Sequence, residues 1–386
     1  MSLPLSASVC LLVLLTETVA AQSFPVSDRE LATAIDQLGD FDYDVRIRAS
    51  RLIRRTSSEQ AQRLLATTIA EHDDGYVRFR ALVLLVGFGA DAAADVVHGV
   101  ISDPNDRLRA VAYSYMEHNP DPAMIGQLLT ALETETSEFV RPALIRALAS
   151  HGSDLAVRTR LVADIDRGVD FFRGAVIEAL GDREAHYAVG PLMRVAGESG
   201  PLQDDALLAL ARIGDRRILP LLADLQGRNA ELEPLVSGAA SALGVDRQAH
   251  MRFLAESLRF AVVAGDEPDL VSSVAAGLGA VASMGDTDAI DILFDVGMGA
   301  SNAAREQIAL VLATLAMRKP SIFLSYLETR VDLETALLVI RDGFDMLDED
   351  FEEERFFMAA RTFFWSNPEG SLGRDVAGTL IEVLEF

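Results

Sequence analysis

The sequence predicts an all-α chain, a single file of stacked helical hairpins, and three observations predict it. Related stretches recur: VRIRASRLI from Val45, VRFRALVLL from Val77, LRAVAYSYM from Leu108, VRPALIRAL from Val140 and FRGAVIEAL from Phe172. Weaker copies begin at Leu202, Val236, Val271 and Ala304, so successive starts lie 30 to 35 residues apart, a period that marks stacked units rather than separate domains. Within each copy the fifth position is small or aliphatic, as at Ala49, Ala81, Ala112, Leu144 and Val176, and mostly apolar residues return three to four places later. Positions spaced in that way share one face of a 3.6-residue helix. No run alternates with period two between turn residues, as a half-buried strand would.

The elements follow in order. Ser27 and Glu30 stand at capping-box spacing and open the first helix. Between the copies lie the companion helices of the hairpins, expected over 59–71, 92–101, 123–132 and 218–225. Turn residues at 72–75, 103–106 and 119–122 separate them, and Gly181, Gly214 and Gly285 read as helix-ending glycines. The small fifth position lets a neighbouring helix approach closely, which stacking requires.

A helical pair of about 32 residues, with Val-Arg opening the second helix and Gly-Asp often closing it, resembles the HEAT repeat, in the short bacterial form called the PBS-lyase HEAT-like repeat. The resemblance spans residues 27–318. It implies a right-handed α-solenoid of about 9 repeats in which each unit touches only its neighbours. The expected organisation is a signal segment over 1–21, the array over 22–318, and an atypical capping region over 319–386.

Arg46, Arg78, Arg109, Arg141 and Arg173 occupy one position in successive copies, each just after an acidic residue: Asp44, Asp74, Asp106, Glu138 and Asp170. They are expected to form a structural ladder with turn carboxylates, broken later by Gln203, Ser237 and Ser272. In the family resembled, the second helix of each pair lines the concave surface, which makes Arg48, Arg51, Arg80 and Arg146 the expected contacts for a protein or peptide partner.

After Ala316 the period fades, and from Asp342 the chain reads DGFDMLDEDFEEERFFMAARTFFWSNPEG. Aromatics on one side of a helix and carboxylates on the other would close the last face of an array. The rival reading is an exposed docking patch around Trp365, the only tryptophan. Arginines gather in the first two copies and carboxylates in 342–354, so the array is expected to be electrically polarised.

With 59 acidic against 34 basic side chains the net charge is −25, which disfavours nucleic acid as a partner. The apolar run from Val9 to Leu15, followed by small residues to Ala21, predicts export to a periplasmic or secreted location, with a cytoplasmic location as the alternative. That run is far shorter than the roughly 20 residues a membrane span needs, so no span is expected. Cys10, the only cysteine, falls within the segment to be removed, which excludes disulfides and thiolate chemistry from the mature chain. Lys319 is the only lysine.

No Walker loop, HExxH pair or GxSxG turn occurs. His118 and His151 fall near equivalent places in adjacent repeats, but no third ligand is evident for a metal. The GDTDAIDI stretch with Asp286, Asp288 and Asp291 reads as a turn and helix cap rather than a calcium loop. No catalytic residue, cofactor or metal is therefore expected. Enzymes do occur among HEAT-like arrays: bilin lyases, deoxyhypusine hydroxylases and DNA glycosylases. The absence of a His-Glu dipeptide argues against the hydroxylase, and the net charge against the glycosylase. The expectation is a non-catalytic scaffold or adaptor, with a HEAT-like enzyme acting on a tetrapyrrole or protein substrate as the alternative.

Overall fold

A computed structural model describes residues 26–265, 268–347 and 349–386, apart from the side chain of Asn302. The expected signal segment, with Cys10, lies outside the described residues. Among the described residues there are 22 α-helices and no strand. The fold is an all-α repeat solenoid.

Its backbone is a row in which the second helix of each hairpin packs on the second helix of the next. The row runs through Tyr43–Arg55, Gly75–Val86, Asp106–His118, Arg141–Ala149, Asp170–Asp182, Gln203–Ile213, Glu233–Ala242, Pro268–Ser283 and Asn302–Arg318. The first of them, Tyr43–Arg55, is rich in arginine and buries only Ala49, Ser50 and Ile53, but the helices that follow bury residues on several sides: Gly75–Val86 buries Val77, Phe79 and every residue from Ala81 to Val86. The companion helices bury one stripe, as Ser58–Glu71 does with Ala61, Leu65 and Ile69, four residues apart. That contrast explains why the repeat is easiest to read in the second helices.

Local chemistry starts and stops the helices. Ser27 and Glu30 form the expected capping box. The side chains of Asp42, Asp74 and Asn105 each accept the N–H two residues on, opening three successive inner helices. Gly214 ends its helix in the left-handed conformation. Gly181 does not end a helix: it lies inside Asp170–Asp182, and a Cβ there would sit 2.7 Å from the Cα of Ala209. Its smallness serves the contact with the next inner helix.

The row does not stop where the sequence period fades. Leu333–Leu347 packs on Asn302–Arg318, and Leu372–Val383 packs on Leu333–Leu347, with Pro320–Leu327 and Asp350–Ser366 as companions. Phe344, Phe351, Phe356 and Phe357 are buried here, and Phe344 meets Phe356 edge to face at 5.3 Å. Each such side chain contributes roughly 1.5–3 kcal/mol of hydrophobic stabilisation. Trp365, by contrast, is 63% exposed and stands against Phe364, with the Arg374 guanidinium over both rings.

The array then curls back on itself. Asp350–Ser366 packs against Gly75–Val86, so the last hairpin lands on the second. Phe351 joins the hydrophobic cluster of the N-terminal repeats, whereas Phe356 and Phe357 belong to that of the C-terminal repeats. One helix thus joins the two cores.

Candidate binding site on the closed inner face

Closure is made by ion pairs that span most of the chain. Glu354, 1% exposed, accepts hydrogen bonds from Arg54 Nε at 2.9 Å and Nη2 at 2.6 Å, and from Arg361 Nη2 at 3.1 Å. Arg361 also donates to the carbonyl of Gly87, and a Cβ at Gly87 would fall 2.1 Å from a Glu354 carboxylate oxygen. Only glycine allows that approach. Arg80 pairs with Asp350, and Arg51 donates to the Glu385 carbonyl at 2.7 Å.

His118 Nε2 lies 2.9 Å from Glu352 Oε1, and its ring stacks on Phe351. Burial pushes the Glu352 carboxyl up, but the His118 hydrogen bond, with Arg355 and Arg146 nearby, outweighs it and holds the pKa at about 2.

Behind this clasp the inner face encloses a cavity of about 490 Å³. One side is apolar, built from Ala276, Gly279, Ala280, Val311 and Leu315 on two neighbouring inner helices. The other side is charged and cross-linked. Glu117 accepts from Arg146 Nε at 3.2 Å and Arg183 Nη2 at 2.9 Å. Asp182 pairs with Arg212 and Arg318, and Arg318 reaches Glu178 at 2.6 Å. Burial alone would lower the Arg318 pKa, but Asp182 and Glu178 more than reverse it and the pKa is raised. Arg318 therefore joins hairpins that lie about 140 residues apart in the chain.

The four arginines expected to meet a partner are divided among three environments. Arg146 lines the cavity, bound to Glu117. Arg51 and Arg80 hold the C-terminal hairpin of their own chain. Arg48 is exposed, with no side-chain bond among the described residues.

The ladder arginines also differ from one another. Arg78 reaches Asp103 at 2.6 Å and Arg109 grips Glu135 through two bonds of 2.8 and 2.9 Å, both acceptors lying in the next turn of the stack. Asp74, just before Arg78, spends its oxygen on the N–H of Tyr76 instead. Arg173 pairs with Asp170, Arg46 donates only to the carbonyls of Asp40 and Phe41, and Arg141 lies over the Phe172 ring at 4.3 Å.

His118 and His151 have different surroundings: His151 is buried with Nε2 unpartnered, and burial lowers its pKa. Glu117, His118 and Glu352 do present one ligand atom each within 4.8 Å of one another. Their carboxylates are already bound by Arg146, Arg183 and Arg355, which a cation would have to displace. Asp286 caps its helix by accepting the N–H of Ala289, as the turn reading expects.

The family model for HEAT repeats matches residues 31–117, which include the first three inner helices. Residues 31–117 are HEAT repeats. The same helix-on-helix packing continues past residue 117 to the end of the chain. No curated protein matches this sequence. Among solved structures it is similar to a chain of the full-length AP-3 complex in an intermediate open conformation, at 11% identity and TM-score 0.35 over 92% of this chain and 81% of that one. It is also similar to the karyopherin Kap121p bound to the extreme C-terminus of the protein phosphatase Cdc14p, at 12% identity and TM-score 0.32 over 95% of this chain. A third is Kap121p bound to Pho4p, at 12% identity and TM-score 0.33, again over 95% of this chain. The chain covers 47% and 46% of the two karyopherin chains.

Among the described residues no single helix is long and apolar enough to cross a membrane.

Proposed function

We propose that this HEAT array is a non-catalytic, exported scaffold that binds polypeptide on its inner face. The observation that carries the reading is the cavity wall, where Glu117, Arg146, Glu178 and Arg212 come from four successive inner helices. A rigid curve presenting a few charged anchors beside an apolar wall suits polypeptide recognition, in which a few residues dominate affinity. Export rests on the apolar run from Val9 to Leu15 and the small residues up to Ala21.

Cross-linking in the native cell, followed by identification of captured proteins, tests the binding. Ser283→Phe should occlude the cavity and reduce capture while leaving helicity and thermal stability near wild type. Undiminished capture would remove the inner face as the surface. A mature N-terminus found at Gln22 by mass spectrometry supports export; an intact Met1 terminus in the purified protein opposes it.

The cavity also favours a second reading, a HEAT-like enzyme acting on a tetrapyrrole or protein substrate, because its volume lies within the roughly 300–1,000 Å³ of small-molecule sites. Pigment that co-purifies with the chain would support that reading.

A further inference from the structure

The cavity lining carries six fixed cations, Arg146, Arg183, Arg212, Arg318, Lys319 and Arg355, and as many carboxylates. All five arginines are spent on lining carboxylates: Arg146 and Arg183 on Glu117, Arg212 and Arg318 on Asp182, and Arg355 on Glu352. Lys319 is not. Among the described residues its ammonium has no hydrogen bond or ion pair, and it stands where the chain bends by 112° between Asn302–Arg318 and Pro320–Leu327. It is the one lysine in a chain that otherwise uses arginine for every permanent cation. A lysine ammonium is a compact point charge that can meet a single carboxylate without the planar two-point match a guanidinium favours.

Glu349 is the counterpart. Its carboxylate also lines the cavity without a hydrogen bond or ion pair among the described residues. Glu349 is exposed to the open space, yet partial desolvation by the protein around it, the largest influence, raises its pKa, so it gains from a cation that arrives there. No ion pair joins Glu349 to Lys319 among the described residues, and the charges that act most on Glu349 are Arg146, Glu352, Arg318 and Glu178. Glu184, the remaining unpaired lining carboxylate, is likewise exposed and stands in the turn after Asp170–Asp182.

We propose that the cavity binds a short zwitterion, an amino acid or a short peptide, with its carboxylate on Lys319 and its ammonium on Glu349. The balanced lining gives a polyanion or polycation no net attraction. The volume, toward the lower end of the usual range for small-molecule sites, admits such a ligand and excludes a folded domain. This inference rests on the inner face being a binding surface and deepens it by naming what enters the cavity.

The probe is an equimolar mixture of the twenty amino acids and randomised di-, tri- and tetrapeptides, incubated with the full chain. Retained species are read by ultrafiltration and mass spectrometry, and the length retained tells an amino acid from a peptide. The best-retained compound is then titrated beside its N-acetyl and C-amide forms. Each cap should weaken binding at least about tenfold, the loss of one charge-assisted contact. In Lys319→Met the penalty for amidation should vanish while that for acetylation persists; in Glu349→Gln the pattern should reverse.

Equal binding of capped and free forms, or an amidation penalty unchanged in Lys319→Met, would overturn the proposal. If a variant fails to fold, acetylation of Lys319 in the wild-type chain, located by mass spectrometry, replaces it: the zwitterion should slow that reaction, and an unaltered rate overturns the proposal. Zwitterions retained without any polypeptide capture would sink the scaffold reading alone. Capture without retained zwitterions would sink this one alone.

Discussion

Replacing Arg54 with Met should loosen the clasp, and the structure indicates by how much. Glu354 is 1% exposed and Arg54 is 9% exposed, so the pair sits out of water; Arg54 supplies two of the three hydrogen bonds the carboxylate receives. Breaking a buried pair from one side costs about 3–5 kcal/mol, because a charge is left uncompensated. Arg361 still contacts Glu354, which places the loss near the lower figure, about 3 kcal/mol. At 1.4 kcal/mol per decade that shifts the closed-to-open ratio by roughly 100-fold.

Hydrogen exchange reads such local opening directly, and the amides of Asp350–Ser366 should exchange faster by about that factor. Adding Glu354→Gln to Arg54→Met removes the stranded charge and should restore most of the protection. Unchanged exchange across 350–366 in the single variant would refute the idea that this pair holds the array shut.

Three further outcomes follow from the geometry. Gly87→Ala drives a methyl into Glu354 and should cost about 1–3 kcal/mol, whereas Gly190→Ala, with nothing within 4 Å, should be neutral or stabilising by up to about 1 kcal/mol; paired thermal melts compare them. Arg109→Met strands the nearly buried Glu135 and should lower stability by about 3 kcal/mol, while Arg46→Met, which loses bonds to surface carbonyls and an exposed cation–π contact with Tyr43, should cost about 1 kcal/mol in the same melts.

The third concerns pH. Glu352 has a folded pKa of about 2 against an ordinary 4.5, so its contribution is complete above about pH 4.5 and drains away as pH falls toward 2. Glu352→Gln should flatten the fall in melting temperature across that window, and an unaltered slope would contradict the assignment.

The stack was legible because its signal is repeated. The companion helix expected over 59–71 is Ser58–Glu71, and that over 218–225 is Leu219–Leu225. The continuation past residue 318 was harder to read, because Phe344, Phe356 and Phe357 fill the volume that alanine and leucine fill elsewhere. The column of charges on the inner face was partly readable. Counted from each repeat start, the seventh residue is Arg51, Arg146 and Glu178 in three copies, and the eleventh is His118, Asp182 and Arg212 in three.

All of those polar interruptions but Arg51, which pairs with Glu385 instead, mark the cavity wall, but the sequence carries no sign of which interruption meets which. The basic start and acidic end read as opposite poles of an extended object, yet Arg54 and Arg80 bind Glu354 and Asp350. Pairing across 300 residues depends on cumulative curvature, which no short stretch encodes.

That separation also constrains how the chain is made. An open stack can fold from its beginning as it leaves the ribosome, each hairpin resting on the one before. Here the seat for Phe351 on the early hairpins, with Arg54 and Arg80 beside it, stays unfilled until almost the whole polypeptide has been synthesised. Any premature stop before Asp350 would leave that seat permanently vacant, and the truncated product would expose both an oily surface and unneutralised guanidinium groups to the quality-control machinery.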